Sequence, residues 1–474
     1  MKVHSTLKVF LGGLVFLSFF ANYVYSQEHT TMRLFDEVVF YDGYRVKDNP
    51  DKDKFKEDGI LRNYTYLYAV KMTPEQLDQF GDSIVMNVWV KACCDNYDRI
   101  GNINLAFVYK NGYDPYNNIT RIELGRFITP FMDKNKQPDT VPYSYRVDYL
   151  SSIFRDKDLR DTYDFWLEFE LFGVPYAANE QIKGCAGRSD VFFGTLEFST
   201  NTPAKGLTDT NVLVPIVIKK PEYMANNLNN YNSIATDTLG KTVKTYSFYV
   251  PKDVTDGQIV LITSNHGANA GGEEYNRRWH YVYITGKDEA GKFKDRELVL
   301  TYKPGRTSCE PFRKYNTQGN GIYGWTKQSD EAWQSFSNWC PGDVIDNRII
   351  NLGAMKAGDY KLTISVPDAV FADKQGDIPV SAFFQGLTEG QLPTDVEEEL
   401  APKQDVTLFF DGEQITLESN ETILDVEICD VQGKLLYHTS EYRPINISSY
   451  PGGMYLVNVE LSNGMIETHK LIKK

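Results

Sequence analysis

Phe165-Trp-Leu-Glu-Phe-Glu-Leu-Phe172 is a run in which every second side chain forms an apolar face. Side chains alternate across a strand, so the run predicts a β-strand whose apolar face packs against a core. The opposite face carries Glu168 and Glu170 between aromatic residues, and their carboxylates therefore point into the same space. Such a pair indicates part of a polar site. The alternative is a half-exposed sheet edge with both acids in water.

Similar strand patterns recur along most of the chain. The clearest occupy residues 84–92, 244–250, 258–263, 279–284, 297–302 and 360–366. One short helix is predicted, with Thr73 as N-cap, Pro74 at the first position, Gln76 completing a capping box and Gly81 as the stop. Many short strands with turn-rich connections predict an all-β protein built of antiparallel sandwiches.

The length of the chain implies several domains, because 474 residues are too many for a single hydrophobic core. Residues 1–26 predict an export signal, since Lys2 and Lys8 precede an apolar run over residues 9–20 and Ser26 stands near the cleavage point. We expect the remaining chain to divide into a first β-domain over residues 32–201, a second over 206–387, an acidic tether over 388–405 and a small β-module over 406–474.

Composition excludes several partners. The net charge of −14 and the pI near 5.1 argue against nucleic acid or an anionic membrane surface, since no basic patch offsets that charge. The apolar run of the signal is short for a bilayer, and no later segment is long enough, so no membrane span is expected. Export allows the six cysteines to oxidise.

Cysteine and histidine do not form a metal-binding pattern. The histidines of the two main domains are His266 and His280, and Cys93-Cys94 lacks a matching second pair, so neither a metal nor another cofactor is predicted. Cys93, Cys94 and Cys185 are three in the first domain. Either one of them stays free, or the adjacent pair forms a strained disulfide.

The loop over residues 264–280, between two predicted strands, is the most polar part of the second domain. Its amide, imidazole and charged side chains come from Asn265, His266, Glu273, Glu274, Arg277, Arg278 and His280. Because so many charged groups cannot share a dry core, we expect this loop to line solvent or a polar ligand. The alternative is an ordinary solvated hairpin loop.

Three further motifs accompany the acidic pairs. They are Cys93-Cys-Asp-Asn-Tyr-Asp-Arg99, Glu123-Leu-Gly-Arg-Phe-Ile-Thr-Pro130 and Asn338-Trp-Cys-Pro-Gly342. In this order they resemble the peptide-N-glycosidase F family, which shows C-D-x-W-D-R, G-R-F-I-T-P and W-C-P-G. The resemblance spans about residues 35–385. It implies two side-by-side antiparallel eight-stranded jelly rolls, with the site in the cleft between them.

The resemblance also implies roles for individual residues. The family's essential aspartate falls on Asp98, its neighbouring arginine on Arg99, and the second-domain glutamate on Glu274. The third acid falls on Glu170, and Glu168 stays open because the strand alignment is loose there. Substrate contacts are implied for Arg99, Glu168, Glu273, Arg278, Trp339 and His280.

Other positions carry over or depart from the family. Cys309 and Cys340 stand where the family has a disulfide, which would pin a loop beside the site. Tyr97 replaces the usual tryptophan, and Phe336 replaces a substrate-binding arginine. The change to Phe336 affects how the chitobiose core of a glycan is bound.

The implied reaction is hydrolysis of the amide between asparagine and the innermost N-acetylglucosamine of N-glycosylated proteins or peptides. It turns Asn into Asp and releases a glycosylamine. This hydrolysis needs a water, a base that activates it, and hydrogen-bond donors to the oxyanion and the leaving amine. It requires no metal. Asp98 is suited to activate or position the water, and Arg99 is suited to donate hydrogen bonds to carbonyl or sugar oxygens. The nearness of Glu274 and Glu170 to Asp98 predicts that at least one of these carboxyls has a raised pKa and that a proton is shared. A glycoside hydrolase and a non-catalytic glycan-binding protein remain as alternatives.

The C-terminal module resembles the sorting domain of the type IX secretion system. Residues 426–430, 433–437, 450–456 and the basic end 470–474 carry this resemblance. It implies a source of the Bacteroidetes kind, the type IX secretion machinery as a partner, and a protein that is secreted or held at the outer-membrane surface after export through the periplasm. A monomer is the default expectation, because the sequence does not indicate an oligomeric state. The alternative is an ordinary accessory β-domain.

Overall fold

The structure is a computed structural model. It describes residues 30–44, 59–110, 112–113, 119–201, 206–217, 226–228, 243–267, 273–274, 276–287, 290–319, 329–335, 338–369, 376–393, 406–419, 421–430, 434–462 and 466–473. The predicted signal peptide and residues 394–405 of the predicted tether lie outside this part of the chain.

The first block is a sandwich of two antiparallel sheets. Its strands are β1 (Thr30–Tyr41), β2 (Ile60–Tyr64), β3 (Leu67–Lys71), β4 (Ile84–Ala92), β5 (Ile100–Tyr109), β6 (Thr120–Ile128), β7 (Thr140–Arg146), β8 (Tyr163–Leu171) and β9 (Asp190–Thr200). One sheet has the order β1-β9-β4-β7 and the other β6-β5-β8-β3-β2. The apolar face of β8 enters the core as predicted, with Phe165 1% and Leu167 0% exposed.

Helices are short and connect the strands. They are α1 (Pro74–Leu77), α2 (Leu150–Arg155), α3 (Lys157–Thr162), α4 (Tyr176–Gln181) and α5 (Asp330–Ser335), with a 3-10 helix at Glu310–Tyr315. The predicted capping box of α1 is confirmed: Thr73 Oγ1 accepts from Gln76 N, and Gln76 Oε1 accepts from Thr73 N. The helix ends at Leu77 and not at Gly81, because the chain then turns Phe80 into the core, where it is 1% exposed.

The second block is also an antiparallel sandwich. Its strands are β10 (Asn211–Val217), β11 (Asn226–Asn227), β12 (Val243–Val250), β13 (Asp256–Thr263), β14 (His280–Gly286), β15 (Glu297–Tyr302), β16 (Val344–Ile345), β17 (Arg348–Asn351), β18 (Gly358–Ser365) and β19 (Pro379–Leu387). One sheet has the order β10-β19-β13-β17, with β11 on β19, and the other β12-β18-β14-β15. Strand β16 joins the first block instead, because it pairs with β6.

A third, smaller sandwich follows. Its strands are β20 (Val406–Phe410), β21 (Gln414–Ser419), β22 (Ile423–Asp430), β23 (Leu435–Thr439), β24 (Ile445–Asn446), β25 (Gly453–Leu461) and β26 (Ile466–Lys473). They form the sheets β20-β21-β24 and β23-β22-β25-β26 around a core of their own. We call this third sandwich the C-terminal module. The three blocks together confirm the all-β prediction.

The first two sandwiches meet along β6, and Arg126 links them there. Its Nε and Nη2 atoms donate to Glu123 at 2.9 and 2.7 Å. Its Nη1 atom donates across the junction to Ser264 Oγ at 2.8 Å and to Pro379 O at 3.0 Å. Arg126 and Glu123 are 3% and 1% exposed, so this link is a buried one. The pairing of β16 with β6 also joins the two blocks through backbone hydrogen bonds.

None of the helices found in the described residues is both long and apolar enough to cross a membrane.

Candidate active site

The segment between β4 and β5, residues 93–99, is held in place by Asp95. This carboxylate is 0% exposed. Its Oδ1 accepts from Tyr97 N at 2.9 Å, and its Oδ2 accepts from Arg99 Nε and Val174 N, each at 2.7 Å. The Arg99 guanidinium also lies over the Tyr97 ring, 4.7 Å from its centre. Asp95 thereby fixes the direction of Arg99. The sequence did not indicate this role, because Val174, which also donates to Asp95, lies far along the chain.

Asp98 and Glu274 interact across the junction, although they come from different sandwiches. Burial raises the pKa of Asp98 well above its usual range, the charge of Glu274 raises it further, and Arg99 opposes both effects. Burial also raises the pKa of Glu274 to about 7. The hydrogen bond from Gly267 N–H lowers this pKa, and the charge of Asp377 raises it. Neighbouring carboxyls with raised pKa values can share one proton near neutral pH.

The position of Glu274 is fixed by Gly267 and Asn338. Glu274 Oε2 accepts from Gly267 N, and Glu274 N donates back to Gly267 O at 3.0 Å. Asn338 Nδ2 donates to the carbonyls of Glu274 at 3.0 Å and Glu273 at 3.2 Å. Gly267 has a φ of +108°, and a Cβ there would lie 2.1 Å from Gly376 Cα, so another residue would be strained. Asn338 is the first residue of the motif that ends at Gly342, so this motif helps to position Glu274 in the site.

The 264–280 loop is more buried than predicted. Glu273 and His280 are both 0% exposed, which contradicts the expectation that these groups line solvent or substrate. Glu273 is accommodated because it accepts from Asn265 Nδ2 at 2.7 Å and from Arg278 Nε at 3.1 Å. His280 stacks on Tyr302, and burial lowers its pKa to about 4, so its ring is neutral near pH 7. The substrate contacts predicted for Glu273 and His280 therefore do not fit their positions.

Glu168 and Glu170 are buried too, at 1% and 4% exposed, so the half-exposed sheet edge was wrong. Both oxygens of Glu168 are bound by Arg121, and Oε1 also accepts from Tyr113. This carboxylate is thus neutralised inside the first sandwich and does not fit a substrate contact. Glu170 stands opposite Asn102 on β5, which in turn stands opposite Arg126 on β6. Glu170 therefore belongs to the row of side chains that leads to the second sandwich.

Trp339 packs beneath the loop. It is 3% exposed, belongs to an apolar cluster with the Cys309–Cys340 disulfide, and its ring centre lies 6.3 Å from that of His266. A direct substrate contact, as predicted for Trp339, does not fit this burial. The side chains of Arg99 and Arg278 are 17% and 15% exposed, so these two predicted contacts do reach the surface. Phe336 lies outside the described residues.

Two disulfides brace the site. Cys309 and Cys340 are joined with a Cα–Cα distance of 5.3 Å, at the positions predicted from the family. Cys94 is joined to Cys185 at 5.5 Å, which ties the Asp95 segment to the turn after α4. Cys93 keeps its thiol. The open choice between a free cysteine and an adjacent-pair disulfide is therefore answered in favour of the free cysteine.

Two groups of side chains in the described residues place three potential metal ligands within 4.8 Å of one another. Cys93, Cys94 and Asp190 form the first, but the Cys94 sulfur is already used in a disulfide. The second lies in the C-terminal module and consists of Asp425, Glu427 and His438. Neither group includes a residue of the Asp98 and Glu274 pair.

Family models match all three sandwiches. The model described as Peptide-N-glycosidase F, N terminal, matches residues 31–185, and Peptide-N-glycosidase F, C terminal, matches residues 230–385. The model described as Secretion system C-terminal sorting domain matches residues 412–474. No curated protein matches the chain.

Solved structures are similar to the chain at low sequence identity. PNGF-II, in two crystal forms, is 19% and 18% identical with TM-scores of 0.51 and 0.49, and these matches cover 77% and 76% of this chain. The chain spans 66% and 65% of those structures, just under two thirds of their length. PNGase F, a glycosylasparaginase from Flavobacterium meningosepticum, is 15% identical with a TM-score of 0.46, and the match covers 77% of this chain and 97% of that one.

Proposed function

Because the chain belongs to the peptide-N-glycosidase F family, we propose that it is an amidase that cleaves the bond between asparagine and the innermost N-acetylglucosamine of N-glycans. The observation that carries the proposal is the pair of Asp98 and Glu274, whose pKa values are both raised where two sandwiches meet. A site that must supply an acid beside a base needs such a pair.

The proposed reaction divides the work among four side chains. Asp98 positions a water against the amide carbonyl carbon and takes its proton as the carbon–oxygen bond forms, and the proton held by Glu274 passes to the leaving amine. Arg99, whose direction Asp95 fixes, donates to the oxygen that gains charge as the water attacks. The carbon–nitrogen bond then breaks, leaving Asp in the peptide and a glycosylamine on the sugar. Glu170 is the third acid in this proposal, because Glu168 is already neutralised by Arg121.

The substrates we propose are N-glycosylated proteins or peptides met outside the cell. Residues 412–474 match the sorting domain, so the chain is exported by type IX secretion and is secreted or held at the cell surface. The partly exposed Arg99 and Arg278 supply the hydrogen-bond donors that sugar hydroxyls and carbonyls accept.

The mass of the peptide product tests the proposal. A glycopeptide incubated with the protein should lose the whole glycan, and the glycosylated asparagine should become aspartate. A peptide that keeps one N-acetylglucosamine would instead identify a glycoside hydrolase. An unchanged glycopeptide that is nevertheless bound would identify a glycan-binding protein.

The dependence of kcat/KM on pH should follow the Asp98 and Glu274 pair. Glu274 holds its proton below its raised pKa of about 7, and burial raises the pKa of Asp98 as well, so less of the pair is ionised at acid pH and kcat/KM should rise with pH toward neutrality. It should fall again when the second proton is lost at higher pH. Glu274→Gln should remove the rise near neutrality. A profile that stays flat from about pH 5 to 9, or a variant with an unchanged rise, would contradict the shared proton.

A further inference from the structure

The sheet of β22, β23, β25 and β26 in the C-terminal module has two different faces. One face is apolar and forms the module's core, with Val426 and Val457 both 0% exposed. The other face carries carboxylates, because Asp425 and Glu427 project from β22 and Glu460 stands opposite Asp425 on β25. We call these three residues the acidic face. They are 8%, 5% and 5% exposed, so another part of the molecule must cover them.

Basic side chains of the second sandwich cover the acidic face. Arg277 Nη1 donates to Glu460 Oε1, and the two side chains are 8% and 6% exposed. Lys303 Nζ lies 3.3 Å from Asp425 Oδ2 and 3.4 Å from Glu460 Oε2. Buried carboxylates are tolerated when they are paired in this way. The pairing is thus what allows the module to bury Asp425 and Glu460 on this surface.

Tyrosine and apolar groups complete the contact. Tyr281 OH lies 2.9 Å from Cys429 Sγ and accepts from Asn458 Nδ2 at 3.0 Å. Cys429 packs in one apolar cluster with Trp279, Tyr281 and Tyr283 of the second sandwich. The contact therefore combines a desolvated centre with ion pairs, as stable protein interfaces do.

We propose that the acidic face is a docking surface for the Arg277 and Lys303 side of the second sandwich, and that it holds the C-terminal module to the enzyme independently of the tether. Cutting the tether then leaves the module bound. The same face is closed to any other partner while the module is docked. This inference does not depend on the proposed amidase activity.

A cleavable tether tests the docking. A protease site is inserted within residues 394–405 of the full chain, the purified protein is cut, and the pieces are run on a sizing column at about 0.1 M salt. The two pieces should elute together. Glu460→Arg or Arg277→Glu should each weaken their association by about tenfold or more, and the two changes together should restore part of it.

The matched control is Glu418→Arg, which makes the same change at an exposed position of the module on β21. It should leave the pieces together. Separation of the unmodified cut protein would overturn the proposal, as would reversal variants that stay associated or a control that separates equally.

Discussion

Asp98→Asn should lower kcat by about a thousandfold or more while leaving the fold intact. The amide is nearly the same size as the carboxyl, but it can neither accept a proton nor share one with Glu274. The pKa of Asp98 is raised in the folded protein, so its ionisation costs stability from its ordinary value upward. The variant should therefore unfold at the same temperature as the unmodified protein at neutral pH, or at a higher one.

The measurement compares glycan release and thermal unfolding for the same preparation. Asp78→Asn is the matched control, because Asp78 is 65% exposed and pairs with Arg160 at the surface. That change should leave activity unaltered. An Asp98→Asn protein that keeps its turnover would remove Asp98 from the proposed mechanism. Loss of activity together with loss of folding would show that its role is structural.

Arg126→Met should destabilise the protein by about 3–5 kcal/mol. The change leaves Glu123 buried without its bidentate partner, and it removes the hydrogen bonds to Ser264 and Pro379 in the other sandwich. Because Asp98 and Glu274 come from different sandwiches, a looser junction should also lower kcat. Urea unfolding and glycan release, each measured well below the unfolding temperature, test both effects.

A double variant separates the buried charge from the lost link. Glu123→Gln added to Arg126→Met removes the uncompensated carboxylate and should recover part of the stability. Activity should recover less, since the hydrogen bonds across the junction remain absent. Arg313→Met at an exposed ion pair should cost at most about 1 kcal/mol. Equal losses for Arg126→Met and Arg313→Met would contradict the role given to Arg126.

Local patterns were sufficient to predict the strands and the capping box. The alternation over residues 165–172 placed Phe165 and Leu167 in the core, and Thr73 with Gln76 formed the expected helix start. These features depend on neighbours within a few residues, which a sequence displays directly. The length of α1 did not follow in the same way, because it depends on where the core accepts Phe80.

Contacts between distant residues decided what the sequence could not predict. Glu168 is buried because Arg121 of β6 binds it, and Asn338 holds Glu274 from another part of the second block. Glu273 and His280 belong to a loop rich in charge, yet both are enclosed because each has a partner in place. Composition indicates that polar groups need partners, but the partners become known only when the chain is folded.

Digestion of a glycopeptide in heavy-oxygen water is the most direct test of the account. Attack of water on the amide carbonyl should place one heavy oxygen in the side chain of the new aspartate, and Asp98→Asn should abolish this incorporation. Heavy oxygen found in the released sugar, with asparagine left intact, would contradict an amidase and identify cleavage at a glycosidic bond.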